Sequence, residues 1–466
     1  VVGSGPNGLA AAAFLARSGV DVTVLEAADE IGGGTRSSEA IVPGLLHDHC
    51  SAVHLIVVGS PLVRELGLER HGLRWCYPEI DCVHPLDGGR AAVLHRSVDE
   101  TAAGLGADGR VWRRLFAGPS ASYDRWGADM MGPVLRVPKH PVRLARFGAP
   151  TLLPATVLGR VFRTEEARAL WMGNAAHAIQ PLNRPFSSAI GLGLLTAGHR
   201  YGWVVAEGGS RAITDAMAAV LAGHGGKIET GVRVRSAADL PPADMTLFDL
   251  APGAVAGILG DRLPARIRRA YRRFTHGPAA FKVDFAVQGG VPWTNPAAHR
   301  AGTVHLGGTA EEIAAGEREL VRGRLPERPF VLVGQQYLAD PGRSVGDVHP
   351  VWSYAHVPNG YPGDATEAII RQFERFAPGF RERIVGLQIR TPAQFAEYNP
   401  NYVGGDIITG AKTIPHVVLG PRATLNPYRV GLPGHYICSA ATPPGPGAHG
   451  MCGMHAAQTA LADLRH

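Results

Sequence analysis

The first 27 residues restrict the fold more than any other stretch. Val1-Val2-Gly3-Ser4-Gly5-Pro6-Asn7-Gly8 carries the end of an apolar strand into a glycine turn, an alanine-rich segment runs on to Arg17, and Gly19 stops it. Val20 to Leu25 then reads as a second strand that closes on Glu26 and Ala27. Strand, G-x-G-x-x-G turn, helix, strand and terminal acid, in that order, make the βαβ unit of a dinucleotide site. Gly3 permits the tight turn. Gly5, Pro6 and Asn7 open a helix whose first N–H groups can approach a pyrophosphate. Gly8 lets that helix pack closely on the strand, and Glu26 is spaced to accept hydrogen bonds from ribose hydroxyls.

The rest of the chain is too long for one simple core: 466 residues imply two domains. Lysine and arginine exceed the acids by six, but the excess is spread along the chain, so a nucleic-acid partner is not indicated. Lys139, Lys227, Lys282 and Lys412 are the only lysines. The five cysteines form no C-x-x-C pair, which argues against a redox disulfide and a thiolate zinc site and fits a reducing, cytoplasmic setting. No metal site is expected from the stretch His47-Asp48-His49-Cys50 to His54: residues 47–49 alternate sides when extended and no second ligand cluster completes a site, so a structural role is the better reading. No run of 18 uncharged apolar residues predicts a membrane-spanning helix. The first residue already lies within a strand, so any targeting signal would lie upstream.

Residues 60–200 read as mostly helical and poor in chemistry, with Asn174, His177, Gln180 and Asn183 as a polar wall. Val134 to Arg163 interleaves basic and apolar residues; it suits a solvated face over a substrate tunnel, or a peripheral membrane contact, and its prolines forbid one long helix. Ser210 is placed to N-cap a helix from Arg211 to Leu221. Strands are expected at 225–234 and 244–250, and a basic helix over 262–273. Ala279 to Val287, Phe330 to Val333 and Val351 to Ala355 read as strands of a mixed sheet, with a helix from Glu367 to Phe376. Finally, Gly434 to Thr442 is a strand, followed by a proline–glycine turn and a helix opening at Gly450-Met451-Cys452.

Just past Glu26 stands Ile31-Gly32-Gly33-Gly34-Thr35-Arg36-Ser37. This resembles the second glycine motif of FAD-containing oxidoreductases of the glutathione-reductase type, with Gly34 where that family usually has arginine. Together with the C-terminal block and the segments 302–308, 374–380 and 399–406, it makes the chain similar to the phytoene-desaturase-like group. Within that group the likeness is to the subgroup called pyridine nucleotide-disulfide oxidoreductase domain-containing protein 2, itself related to flavin amine oxidases.

The resemblance implies an α/β fold: a Rossmann-type, glutathione-reductase-like FAD-binding domain from residues 1–60, 200–275 and 415–466, with an inserted α+β substrate domain from 61–199 and 276–414. It implies FAD held by Gly3, Gly5, Pro6, Asn7, Gly8, Glu26, Ala27, Gly33, Gly34, Thr35, Arg36, Val232, Ser439, Ala440, Gly450, Met451 and Cys452. The implied chemistry is hydride transfer from a C–H bond of a small, apolar substrate to flavin N5, with oxygen or a quinone as external acceptor. Lys282, followed by Pro292-Trp293, resembles the amine-oxidase lysine that reaches toward flavin N5, and is the catalytic candidate. Two alternatives stay open: an amine oxidase, with Trp352, Tyr354, Tyr398 and Tyr402 as flanking aromatics, and a partner-binding protein stabilised by FAD. Oligomeric state is not legible.

Overall fold

The computed structural model describes residues 1–133, 139–413, 416 and 419–465. Arg136 and Pro138 of the basic segment lie outside them.

Two sheets organise the molecule. The first is parallel and is built around Val2, which bridges Leu25 on one side and Phe248 on the other. Thr23–Leu25 pairs with Lys227–Glu229, and Thr246–Phe248 pairs with His435–Ile437. In chain order this is the 3-2-1-4-5 arrangement of a doubly wound nucleotide-binding fold. Helix Pro6–Arg17 is buried along almost its whole length, as its alanines allow, and lies against Arg211–Gly223 and Met451–Leu464. A Cβ on Gly453 would collide with the Asn7 carbonyl, so the first and last helices meet backbone to backbone at their N-terminal ends.

The second sheet has seven strands. In spatial order they are Ile384–Arg390, Ala279–Gln288, Val348–Val357, Val331–Gly334, Ala301–Leu306, Ile80–Pro85 and Ala91–Leu94. Its two faces differ. Phe281, Val283, Phe285, Val331, Val333, Val351, Ala355 and Val304 form an apolar layer that packs on Ile369, Ile370 and Phe373 of the helix Thr366–Phe376. The other face bears the ionisable and aromatic side chains described below. Because side chains alternate along each strand, a polar residue at every second position is what builds two unlike faces.

Residues 60–200 are not purely helical: Ile80–Pro85 and Ala91–Leu94 join the large sheet. Ile80–Pro85 is buried on both faces although it carries Asp81, Cys82 and His84, so it has no apolar–polar alternation to betray it. The basic segment breaks into Pro141–Thr151 and Ala155–Leu158, with Pro150 in the last turn and Pro154 before the second helix. The basic helix after the fourth parallel strand is shorter than expected, Ala265–Arg272, because Pro264 precedes it. Among the described residues no helix is long and apolar enough to cross a membrane.

Candidate functional site

The site starts where the parallel strands end. Gly3 adopts φ +98°, and Gly5 opens helix Pro6–Arg17 with no side-chain cap. A helix start bordered by glycine backbone is a cradle for an anion. Glu26 is buried, its Oε2 accepting from Ser4 N and Ser4 Oγ at 2.8 and 2.6 Å and its Oε1 from Ala28 N at 2.9 Å. Val232 N donates to the Glu26 carbonyl at 2.8 Å, which brings Val232 beside the acid although the strand there spans only Lys227–Glu229. Ala27, directly after Glu26, is exposed at the strand's end.

The second glycine motif folds onto the first. Gly32 N donates to the Ser4 carbonyl at 2.9 Å, and a Cβ on Gly33 would stand 3.1 Å from Gly5 Cα. Thr35 is buried, and its Oγ1 donates to the Gly32 carbonyl. Arg36 is buried beside Glu26, with Nη2–Oε1 at 3.5 Å, and donates to the Glu30 carbonyl. A side chain at Gly34 would run into the Tyr402 hydroxyl, so this tyrosine fills the place where the related motif carries arginine. Tyr398 Oη donates to the Gly33 carbonyl at 2.6 Å.

The C-terminal block closes the same end of the sheet. Ser439, Met451 and Cys452 are buried and Ala440 half-buried; Gly450, φ +69°, is the N-cap of the last helix, and Met451 N donates to His449 Nδ1 at 3.1 Å. Burial pushes the Cys452 thiol up to about 12, and Cys438 is likewise raised well above its ordinary value, so both are packing residues. These residues meet what a dinucleotide requires: two glycine turns in contact, two helix starts with glycine at the N-cap and a buried acid at the second strand's end. Sequence reasoning missed Asp249. Its Oδ2 accepts from Gly8 N at 2.9 Å, and burial, opposed by that bond and reinforced by Glu26, pushes its carboxyl up to about 7.

The ionisable face of the large sheet approaches this cradle through residues 47–51. His49 N donates to the Arg36 carbonyl and Ser51 N to the Gly34 carbonyl, both at 2.9 Å. His47 Nδ1 lies 3.7 Å from Asp284 Oδ1, and Asp284 contacts the Lys282 ammonium. Cross-strand register places Arg390, Lys282, Tyr354, Leu332 and His305 in one line, and Gln388, Asp284, Trp352, Gly334, Thr303 and Cys82 in the next. Lys282 is 1 % exposed, which excludes the surface reading of a lone lysine in a strand. Burial lowers its pKa, with Asp284 opposing the shift; Asp284, which burial alone would raise, is held below its ordinary value by Lys282 and His47.

Farther along that face, His177 and His305 join ring to ring at 3.1 Å, and His84 donates through Nε2 to the Gly308 carbonyl at 2.8 Å. Burial drives His177 to about 3 and His84 to about 4, so these rings are neutral. Asn183, by contrast, is exposed and takes no part in the expected polar wall. Among the described residues no group of three His, Cys, Asp or Glu is placed to hold a metal ion.

Ser210 does not cap its helix. Its backbone is already helical, its hydroxyl donates to the Ser51 carbonyl, and the helix start is satisfied from outside: Asp48 Oδ1 accepts from Ser210 N, and Ser37 Oγ from Arg211 N. Asp48 also meets Arg343 at 2.6 Å, and Arg343 meets Asp340 at 2.9 Å, all three buried.

Residues 1–66 match the model of the NAD(P)-binding Rossmann-like domain. Over its full length the chain is 24% identical to pyridine nucleotide-disulfide oxidoreductase domain-containing protein 2 of Rattus norvegicus, covering 93% of that protein. It is 27% identical to hydroxyneurosporene desaturase of Cereibacter sphaeroides, again over the whole chain and 97% of the relative. A solved putrescine oxidase variant superposes with a TM-score of 0.63 at 17% identity, covering 100% of this chain and 98% of that one. The chain is a homologue of these oxidoreductases and has the fold shared by desaturases and amine oxidases.

Proposed function

We propose that this protein is an FAD-dependent oxidoreductase, a dehydrogenase or desaturase that removes hydride from a substrate C–H bond. The observation that carries the reading is the junction at Gly34, Cys50 and Tyr402, where the glycine cradle adjoins the sheet face bearing Lys282 and Asp284. When bound, FAD supplies a hydride acceptor and passes the electrons to an external acceptor such as oxygen or a quinone.

The chain's own residues supply the rest. The starts of helices Pro6–Arg17 and Met451–Leu464 present positive dipole ends to negative charge, and Glu26 accepts from ribose hydroxyls. Lys282 places Nζ against Asp284 in a site that burial keeps dry; burial lowers the pKa of this amine and Asp284 opposes that shift. Trp352 and Tyr354, ring to ring at 5.1 Å, exclude water from the same face.

Lys282→Met should retain the fold and the bound cofactor but slow either substrate-driven reduction or reoxidation about tenfold or more, ~1.4 kcal/mol of barrier. Stopped-flow measurement of each half-reaction tests this. Wild-type rates in both would remove Lys282 from the mechanism.

A further inference from the structure

We propose that the substrate carries a carboxylate, bound by Arg390 beside Lys282, and that an ammonium-bearing substrate is disfavoured; the inference rests on the oxidoreductase reading above.

Lys282 and Arg390 occupy directly opposite positions on neighbouring strands, with side chains on the same face. Like charges in that relation repel and destabilise the sheet. One carboxylate, Asp284, stands against them, and it is engaged by Lys282. That pair cancels and leaves Arg390 in surplus. Among the described residues no carboxylate lies within ion-pair distance of Arg390. Among the described residues its side chain makes one hydrogen bond, from Nη1 to the His49 carbonyl at 3.0 Å. The guanidinium lies instead over the rings of Tyr398 and Phe395, at 4.5 and 5.7 Å from their centroids. Stacking of this kind orients the planar fork and leaves its remaining N–H groups for a bidentate acceptor.

His49 adds to the argument. Burial, then Arg390 and Lys282, depress it to about 4, so this neighbouring ring brings no third cation and no negative charge to offset the excess. Trp352 contributes a second donor: its indole N–H is buried, makes no hydrogen bond with the described residues, and sits opposite Asp284 with the Lys282 ammonium 5.7 Å from its ring. A planar anion bearing an apolar body satisfies the surplus guanidinium and packs on the same aromatic rings. An alkylammonium group meets two cations and an acid that is already engaged. The same charge balance weighs against an amine oxidase and against a wholly hydrocarbon substrate.

Isothermal titration calorimetry of the purified flavoprotein with sodium benzoate and with benzylammonium chloride tests this on probes of one shape and opposite charge. Benzoate should bind at least tenfold more tightly than benzylammonium. Arg390→Met should weaken benzoate tenfold or more, and Arg390→Lys should weaken it less. Equal or tighter binding of benzylammonium, no binding of either probe, or unchanged benzoate affinity in a folded Arg390→Met protein would each overturn the proposal. The flavin spectrum of the same sample separates the two readings: failed anion selectivity in a yellow protein refutes only the carboxylate, whereas a protein that cannot be loaded with flavin refutes the function beneath it.

Discussion

Replacing Arg343 with methionine should expose how strongly a buried cation ties the turn Pro341–Arg343 to the strand Leu46–Asp48 and to Ala206. Arg343 is 1 % exposed; its Nη1 reaches Asp48 at 2.6 Å, its Nε reaches Asp340 at 2.9 Å, and its Nη2 donates to the Ala206 carbonyl at 2.7 Å. Removing one partner of a buried ion pair leaves an uncompensated charge and costs about 3–5 kcal/mol. Asp48 keeps bonds from Ser37 and Ser210, and Asp340 keeps one from Gly208, which favours the lower part of that range, about 3–4 kcal/mol. The sign of the pH dependence follows from Asp48. Burial alone would raise its carboxyl, but Arg343 and the hydrogen bonds lower it below 3.8, so the stability it contributes is present above that value and is lost as pH falls through the lower folded value. In Arg343→Met the lost guanidinium lets burial raise the Asp48 carboxyl from its wild-type value. The variant's penalty is then full at neutral pH and shrinks toward pH 4. Urea denaturation at pH 7 and pH 4 measures the gap. Arg343→Met combined with Asp48→Asn and Asp340→Asn should recover at least half of the loss at pH 7. A single-variant loss below about 1 kcal/mol at pH 7, or a gap that does not narrow on acidification, would refute the reasoning.

Glu26→Gln should weaken FAD about tenfold or more, since a hydrogen bond to a charged acceptor contributes about 1.5–3 kcal/mol, and unchanged affinity by fluorescence titration would move the ribose elsewhere. The glutamine retains an acceptor for Ser4, which an alanine would not. Asp249, raised from 3.8 to about 7, contributes most to stability at low pH and loses that contribution as pH rises toward 7. Asp249→Asn should therefore gain on the wild type by about 1–3 kcal/mol between pH 5 and pH 8, and parallel stability curves across that range would contradict the assignment.

The βαβ unit and its glycine turns were determined by local sequence. Tight turn, close approach and helix start are demands on consecutive residues, so Gly3 to Glu26 announce the dinucleotide fold without any tertiary contact. Lys282 was also legible, through its rarity and its place in an alternating strand. What surrounds it was not. Register across seven strands brings Lys282 opposite Tyr354 and Arg390 and carries the same face on to His305, linking residues tens of positions apart in the chain. Ile80–Pro85 escaped notice because burial on both faces erases the period-two pattern. Ser210 was a reasonable cap by composition. The packed structure assigns that task to Asp48 and Ser37, since a carboxylate and a hydroxyl from another segment already reach those N–H groups. Asp249 and Arg343 show the same limit: the first meets Gly8 and the second Asp48 across 241 and 295 residues. Local propensity specifies which elements form, but only packing decides which charges share a buried space, and burial is what shifts their protonation.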